Sequence, residues 1–269
     1  MDTPPQKTSI LLEERSGAVA ILTLNRPAAR NSLSLELIAA LHAAIEREGA
    51  AREVAAVIIA GAPPAFCAGH DLREMTARRK DADRGRAFFE ETMRSCAAMM
   101  QAIVACPKPV IAAVNGIATA AGCQLVASCD LAVAGEDAHF ATPGVNIGLF
   151  CSTPMVALTR NVPRKAAMEM LLLGEMVGAA KALELGLVNR VVPGAQVQAA
   201  ALEFAERIAA KSPLTLEIGK KAFYRQAEMP LAKAYEYTAN VMVENMLARD
   251  AEEGIGAFLE KRKPQWRGE

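Results

Sequence analysis

Apolar residues fall in short blocks along this chain, and most blocks run into a turn of small residues and then a stretch with helical spacing. "SILLEE" (9–14) and "AVAILTLN" (18–25) flank Ser16-Gly17 and predict a pair of strands. Leu35, Ile38, Leu41 and Ile45 then recur on one face of a helix. "VAAVIIAG" (54–61) reads as a buried strand followed by "APPAFCAGHDL" (62–72), and "PVIAAVNG" (109–116) as a second one followed by "IATAAGCQL" (117–125). "DLAVAG" (130–135) with "HFATPGV" (139–145) begins a third round. This is a coarse strand-turn-helix repetition without a residue-level repeat. From about Pro193 the strand signals stop; Leu231, Tyr235, Met242 and Met246 give a late helix an apolar face. The expectation is an α/β core over residues 1–195 and a helical C-terminal region over 196–269.

One stretch stands out within this pattern. "NGIATAAGCQLVASCD" (115–130) is almost uncharged, and its small residues sit where a strand hands over to a helix. Bare backbone at such a turn serves a phosphate cradle, a tight packing corner, or an oxyanion hole of main-chain N–H groups.

Charge and cysteine content change the picture by exclusion. Thirty Lys+Arg balance thirty Asp+Glu, so no global basic field draws the chain to nucleic acid, and an anionic ligand needs a local basic cluster. The six cysteines lack C-x-x-C spacing, and "MDTPPQKTS" has neither an apolar signal core nor an Arg-rich transit pattern, which predicts a reduced, cytoplasmic protein. The apolar region from Val110 to Ala134 is broken by Asn115, Gln124 and Asp130 before it reaches the ~20 residues of a membrane span. There is no P-loop, no G-x-S-x-G elbow and no H-E-x-x-H, and the nearest approach to G-x-G-x-x-G, "GIGAFL", lies in a helical segment with no strand before it. With three histidines, His42, His70 and His139, no metal site is expected.

Six motifs in order carry a resemblance over nearly the whole chain: "LNRPAARNSLS" (24–34), "FCAGHDLREM" (66–75), "NGIATAAGCQLVASCDLAVAG" (115–135), "FATPGVNIGL" (140–149), "ALELGLVNRVV" (182–192) and "FLEKRKPQW" (258–266). The chain resembles the crotonases, the enoyl-CoA hydratase/isomerase superfamily. Within it, "ATPGVNIGLFCSTP" (141–154) looks most like the subgroup of enoyl-CoA hydratase domain-containing protein 3. The resemblance implies a ClpP-like crotonase spiral of repeated ββα units with a helical C-terminal region. It also implies an acyl-CoA thioester substrate, no separate cofactor because CoA arrives with the substrate, and assembly as a homotrimer or dimer of trimers.

By the same resemblance, the backbone N–H groups of His70 and Ala121 form the oxyanion hole for the thioester carbonyl. Asp71 is placed to cap the helix after His70, and Gly122 and Cys123 open the helix after Ala121. The His70 side chain reads as pointing away from its useful N–H, Glu74 as a helix-surface residue and His139 as exposed. Arg26, Ala68, Arg73, Lys261 and Lys263 occupy positions that meet the CoA portion, the last two across a subunit boundary. The family's two catalytic glutamates fall at Gln124 and Gly144. Glutamine cannot accept a proton at neutral pH, and glycine has no side chain, so standard hydration is expected to be weak or absent. A left-handed backbone at Gly144 would resist a larger residue. Cys151 and Ser152 are candidate nucleophiles without an assignable histidine base, and both also read as packing the acyl pocket. Two function classes stay open: an enzyme of acyl-CoA metabolism with hydratase, isomerase or thioester-hydrolysing activity, and a non-catalytic acyl-CoA-binding protein.

Overall fold

Val57, Ile59, Ala112 and Val114 face one way from two neighbouring strands, and Ile58, Ala60, Ile111 and Ala113 face the other; all are buried. A strand apolar on both faces belongs inside a parallel sheet covered on both sides, and that is where the chain puts them. The computed structural model describes residues 9–269; nearly all of the start read for a targeting signal lies outside the described residues.

In chain order the elements are β1 (Leu11–Ser16), β2 (Val19–Leu24), α1 (Leu35–Ala50), β3 (Ala56–Gly61), α2 (Leu72–Ala77), α3 (Arg86–Ala105), β4 (Val110–Val114), β5 (Ile117–Thr119), α4 (Ala121–Ser128), β6 (Leu131–Gly135) and β7 (His139–Ala141). Then follow α5 (Ser152–Asn161), α6 (Arg164–Leu173), β8 (Val177–Gly178), α7 (Ala179–Glu184), β9 (Arg190–Val192), α8 (Val197–Ala209), α9 (Pro213–Ala227), α10 (Leu231–Leu247) and α11 (Arg249–Leu259). The main sheet has the order β1-β2-β3-β4-β6-β9, and a smaller sheet the order β5-β7-β8. Only the β1–β2 hairpin and the β7–β8 pair are antiparallel. After the β1–β2 hairpin every step along the main sheet crosses over through at least one helix, and the β4-to-β6 and β6-to-β9 steps also pass through the smaller sheet, which makes the spiral.

One face of the main sheet packs on α1, α3 and α4 through Leu37, Ile38, Leu41, Met99, Ile103 and Leu125. α8 covers the other face, and its Ala200, Ala201 and Ala205 let the helix approach closely. α9, α10 and α11 pack against one another. Their tie to the core is polar: the Lys220 ammonium on α9 donates to Asp130 at 2.7 Å and to the carbonyls of Ile103 and Lys108 at 3.0 Å. Tyr224 donates to the other Asp130 oxygen at 2.9 Å, and the Val110 amide to the first at 2.7 Å. With its partners supplied, the near-buried Lys220 charge is tolerated.

α10 departs from the ordinary meaning of an amphipathic stripe. Its predicted apolar face is present, but Leu231, Tyr235, Met242 and Met246 are 75%, 72%, 59% and 51% exposed. Nothing in the single chain covers them.

Candidate active site

Residues 67–70 run as an extended piece clamped from two sides. Toward β5, the Cys67 amide donates to the Ile117 carbonyl at 3.1 Å, and the Thr119 amide to the Cys67 carbonyl at 2.9 Å. Toward the "RNSL" loop, the Ala68 amide donates to Arg30, Leu33 donates to Gly69 at 2.7 Å, and Asp71 donates to Leu33 at 3.0 Å. In that parallel bridge the neighbours of His70 carry the bonds, so its own N–H is directed elsewhere. Among the described residues it has no acceptor.

The Ala121 amide is left open in a different way. Ala121 is the first residue of α4, where N–H groups lack intrahelical partners, and no side chain caps it. Ala120 before it takes φ 51° and ψ −115°, a conformation that costs a non-glycine residue about 1–3 kcal/mol. The bond from the Ala120 amide to the Ala141 carbonyl at 2.9 Å holds this turn against the end of β7.

Two glycines bring the amides together. A Cβ on Gly122 would lie 2.0 Å from the Cys67 carbonyl oxygen, so only glycine lets α4 start against the clamped segment. Gly69 has φ 95°, and a Cβ there would come 3.0 Å from the Ala120 methyl and 3.5 Å from the Ala121 nitrogen. The backbone entering His70 therefore runs beside the start of α4. Two adjacent free N–H groups, one at a positive helix end, can hold an oxyanion.

The surrounding charges position this turn. Asp71 accepts the Arg73 and Glu74 amides, as expected of a cap, and also pairs with Arg26 at 2.8 Å. Burial raises the Asp71 pKa, but the Arg26 guanidinium and the two amides outweigh it and hold the carboxyl below its usual range. Arg26 also donates to the Ser32 carbonyl at 2.5 Å. The side chain expected on phosphate is thus engaged within the fold, tying the "NRP" turn to α2. Glu74 corrects another expectation: it is half-buried, and its carboxylate accepts the Leu35 amide at 3.1 Å at the start of α1. His139 is exposed, as expected. The His70 ring is largely buried, and burial alone lowers its pKa to about 4, leaving a neutral imidazole at pH 7.

Of the two residues that the resemblance sets at glutamate positions, Gln124 is buried on α4 with no partner for its Oε1 among the described residues. Gly144 lies in a 3-10 turn, Pro143–Ile147, and its φ is not left-handed. The obstacle to a side chain there is space: a Cβ would meet the Leu149 carbonyl oxygen at 2.7 Å and the Cys151 Sγ at 2.9 Å. The space beside Gly144 is therefore already filled. Cys151 is buried, which pushes its thiol pKa up and makes it a poor nucleophile at pH 7. Ser152 is exposed at the start of α5, its hydroxyl 3.4 Å from the Phe150 carbonyl.

Ala68 and Arg73 flank the His70 turn, Ala68 half-buried and Arg73 exposed. Lys261 and Lys263 are exposed just after α11, which packs on α9 and α10. Two residues of the site escaped the sequence reading. Asn31, fully buried at φ 55°, donates to the carbonyls of Ala62 and Ala65 and accepts the Arg26 amide, stapling the loop before Phe66. Its signal was an asparagine in a turn, the residue type that best tolerates that φ. Thr142, beside the Ala120–Ala141 bond, is fully buried with an unpartnered Oγ1, and nothing in its local sequence marks it.

Comparison with known proteins gives a consistent set of relatives. The family model "Enoyl-CoA hydratase/isomerase" matches residues 14–269. The human mitochondrial enoyl-CoA hydratase domain-containing protein 3 is 47% identical over 245 residues, covering 91% of this chain and 79% of that protein. A crystal structure of an enoyl-CoA hydratase from Mycobacterium smegmatis superposes with a TM-score of 0.91 at 49% identity, over 96% of this chain and 99% of that one. The crystal structure of the human domain-containing protein 3 gives 0.90 at 44% identity, over 96% and 100%. The curated name of that human relative says mitochondrial, so it lends no support to the cytoplasmic expectation.

The geometry of this turn makes two predictions. Gly122→Ala should lose about 3 kcal/mol or more of stability in urea unfolding, because neither backbone can give way cheaply. Gly219→Ala, on α9 with nothing within 4 Å of its would-be Cβ, should be neutral or gain up to about 1 kcal/mol. Equal effects at the two glycines would contradict the close-approach account. The second prediction concerns pH. The folded pKa of His70 is lowered, so between the unfolded value of 6.5 and about 4 only the unfolded chain binds that proton. Stability should fall as pH drops through this window, by up to about 3 kcal/mol, and His70→Gln should remove that part of the slope. Unfolding curves of the two proteins at pH 7 and pH 4.5 check it.

Proposed function

The chain belongs to the enoyl-CoA hydratase/isomerase family, and from that premise we propose that it binds acyl-CoA thioesters with the carbonyl held between the His70 and Ala121 amides. The observation that carries this reading is the pair of adjacent, unbonded N–H groups that the Gly69 and Gly122 contacts create. Such donors favour an enolate or tetrahedral oxyanion over the neutral ground-state carbonyl.

The proposed activity is that of an acyl-CoA enzyme whose standard hydration is slow. Each acid/base group contributes on the order of 10²–10⁴ in rate, and neither Gln124 nor Gly144 can supply one. A non-catalytic acyl-CoA-binding protein is the second reading, favoured by one observation: the Leu149 carbonyl and the Cys151 sulfur occupy the space where the second carboxylate's side chain would start. Thioester hydrolysis through Cys151 or Ser152 is the weaker alternative, given the raised thiol pKa and the lack of a base beside either.

We further propose that the chain assembles as a homotrimer or dimer of trimers that covers the α10 face. The uncovered Leu231, Tyr235, Met242, Met246 and, after α10, Phe258 and Leu259 support this, since large apolar side chains in one region seldom stay in water. In such an assembly Lys261 and Lys263 reach the CoA portion bound to a neighbour, and Arg73 meets it within the same chain.

Calorimetry with short- and medium-chain acyl-CoA esters should show binding tighter than about 1 mM, paired with crotonyl-CoA hydration at least about 100-fold below that of a two-glutamate relative assayed alongside. No binding of any ester rejects the ligand class, and hydration at the relative's rate rejects the assigned glutamate positions. For the assembly, sedimentation should give three or six chains, and Tyr235→Lys with Met242→Lys should reduce that number. A native monomer would overturn it.

A further inference from the structure

The segment joining α2 to α3 carries positive charge that the fold does not neutralise. Residues 78–90 hold five cations, Arg78, Arg79, Lys80, Arg84 and Arg86, against three carboxylates, in a chain of zero formal net charge. All three carboxylates are engaged. Asp81 faces Arg78 at 3.8 Å, Asp83 accepts the Gly85 and Ala87 amides at 2.9 and 2.8 Å, and Glu90 pairs with Arg86 and Arg94 at 3.0 and 3.6 Å. Among the described residues, Arg79, Lys80 and Arg84 have no acidic partner.

These cations sit on a fixed turn. Arg84 and Gly85 are both left-handed, at φ 60° and 87°, and a Cβ on Gly85 would lie 2.8 Å from the Phe89 ring and 3.0 Å from the Arg78 carbonyl oxygen. The Arg79 guanidinium lies over the same Phe89 ring, 5.7 Å from its centre. Between them lies a shallow, solvent-open depression of about 380 Å³ lined by Arg79, Asp83, Arg84, Arg86, Phe89 and Glu90. Asp83 is turned to amides and Glu90 to guanidinium groups, so the unsatisfied charge in the pocket is cationic, with an aromatic wall.

The pocket is linked to the thioester turn by a short, regular path. Six residues of α2 at about 1.5 Å each and a 3-10 turn, Arg78–Lys80, at about 2 Å each keep the first of these cations within about 15 Å of the His70 turn along the helical path. We propose that this pocket binds an oxyanion carried at the far end of the ligand whose carbonyl sits at His70 and Ala121. Two parts of an acyl-CoA offer that chemistry: a terminal carboxylate on a dicarboxylic acyl chain, and the phosphates of the CoA moiety. Either suits the planar, multi-donor guanidinium groups of Arg79 and Arg84. The inference rests on the acyl-CoA reading above.

The test is calorimetry with CoA, monocarboxylic acyl-CoA esters and dicarboxylic esters of matched length, on the native protein, Arg79→Gln and Arg84→Asn. Asparagine tolerates the left-handed turn, and thermal unfolding verifies that each variant is folded. The variants should lose about tenfold in affinity, with the loss shrinking at high salt. Loss for CoA and every ester identifies the phosphates as the anion; loss confined to the dicarboxylic esters identifies the carboxylate. Unchanged affinities across all ligands overturn the pocket. If the native protein binds no acyl-CoA, it is the acyl-CoA reading that fails, and inorganic pyrophosphate then tests the pocket alone: binding to the native protein that Arg79→Gln abolishes supports it, and no binding overturns it.

Discussion

The approach of α4 to the Cys67 carbonyl is the contact on which the rest of the site depends. With 2.0 Å between that oxygen and the place a Cβ would take on Gly122, the helix start and the extended segment are backbone against backbone. The strain at Ala120 follows from it, because a chain leaving β5 must turn sharply to begin a helix there. Bonds in the clamp and in the Ala120–Ala141 pair offset that strain, each worth about 1 kcal/mol net. What remains open is two amides whose normal partners the turn has removed. Close packing and open amides share one cause here, since removing side chains for close packing also exposes the N–H groups.

This arrangement separates binding from proton transfer. An oxyanion hole built from backbone survives changes in the side chains around it, whereas acid/base catalysis depends on those side chains. Losing one oxyanion donor costs on the order of 10²–10³ in rate, and losing an acid/base group costs a comparable or larger factor. In this chain the His70 and Ala121 amides are unbonded among the described residues, while Gln124 and Gly144 carry no acid or base. At Gly144 the Leu149 carbonyl and Cys151 sulfur fill the space a side chain would need, and burial holds the thiol protonated. Among the described residues, a buried glutamine with an unpartnered oxygen and a buried threonine with an unpartnered hydroxyl leave a polar but neutral surround.

The C-terminal helices are joined to the core by charge and left apolar outside. Lys220 reaches two carbonyls and Asp130 in one step, satisfying every proton of the ammonium, so α9 has one defined seat. Asp130 in turn closes the start of β4 through the Val110 amide, which couples the helix to the main sheet. The opposite side of this region offers uncovered Leu, Met and Tyr side chains, a surface whose stability in water depends on what meets it.

Local chemistry made much of this legible without coordinates. The continuous apolar runs of β3 and β4, the face of α1, the Asp71 cap and the small-residue turn at 120–122 are all set by residues near one another in the chain, where spacing and propensity act directly. The family motifs added the amides of His70 and Ala121 as a pair, although 51 residues separate them. The partners were not legible. Arg26 could bind a phosphate or a carboxylate, and only the fold brings Asp71 within 2.8 Å of it. Glu74 looked like a surface residue until α1 placed an uncapped amide beside it. Gly144 suggested an unusual φ, but its reason is the Leu149 carbonyl, whose position depends on how the 3-10 turn meets α5. Sequence by itself determined which segments form and which backbone must stay bare. Tertiary structure decided which charges are already paired and which spaces are already full, because those depend on distances between segments that no local pattern encodes.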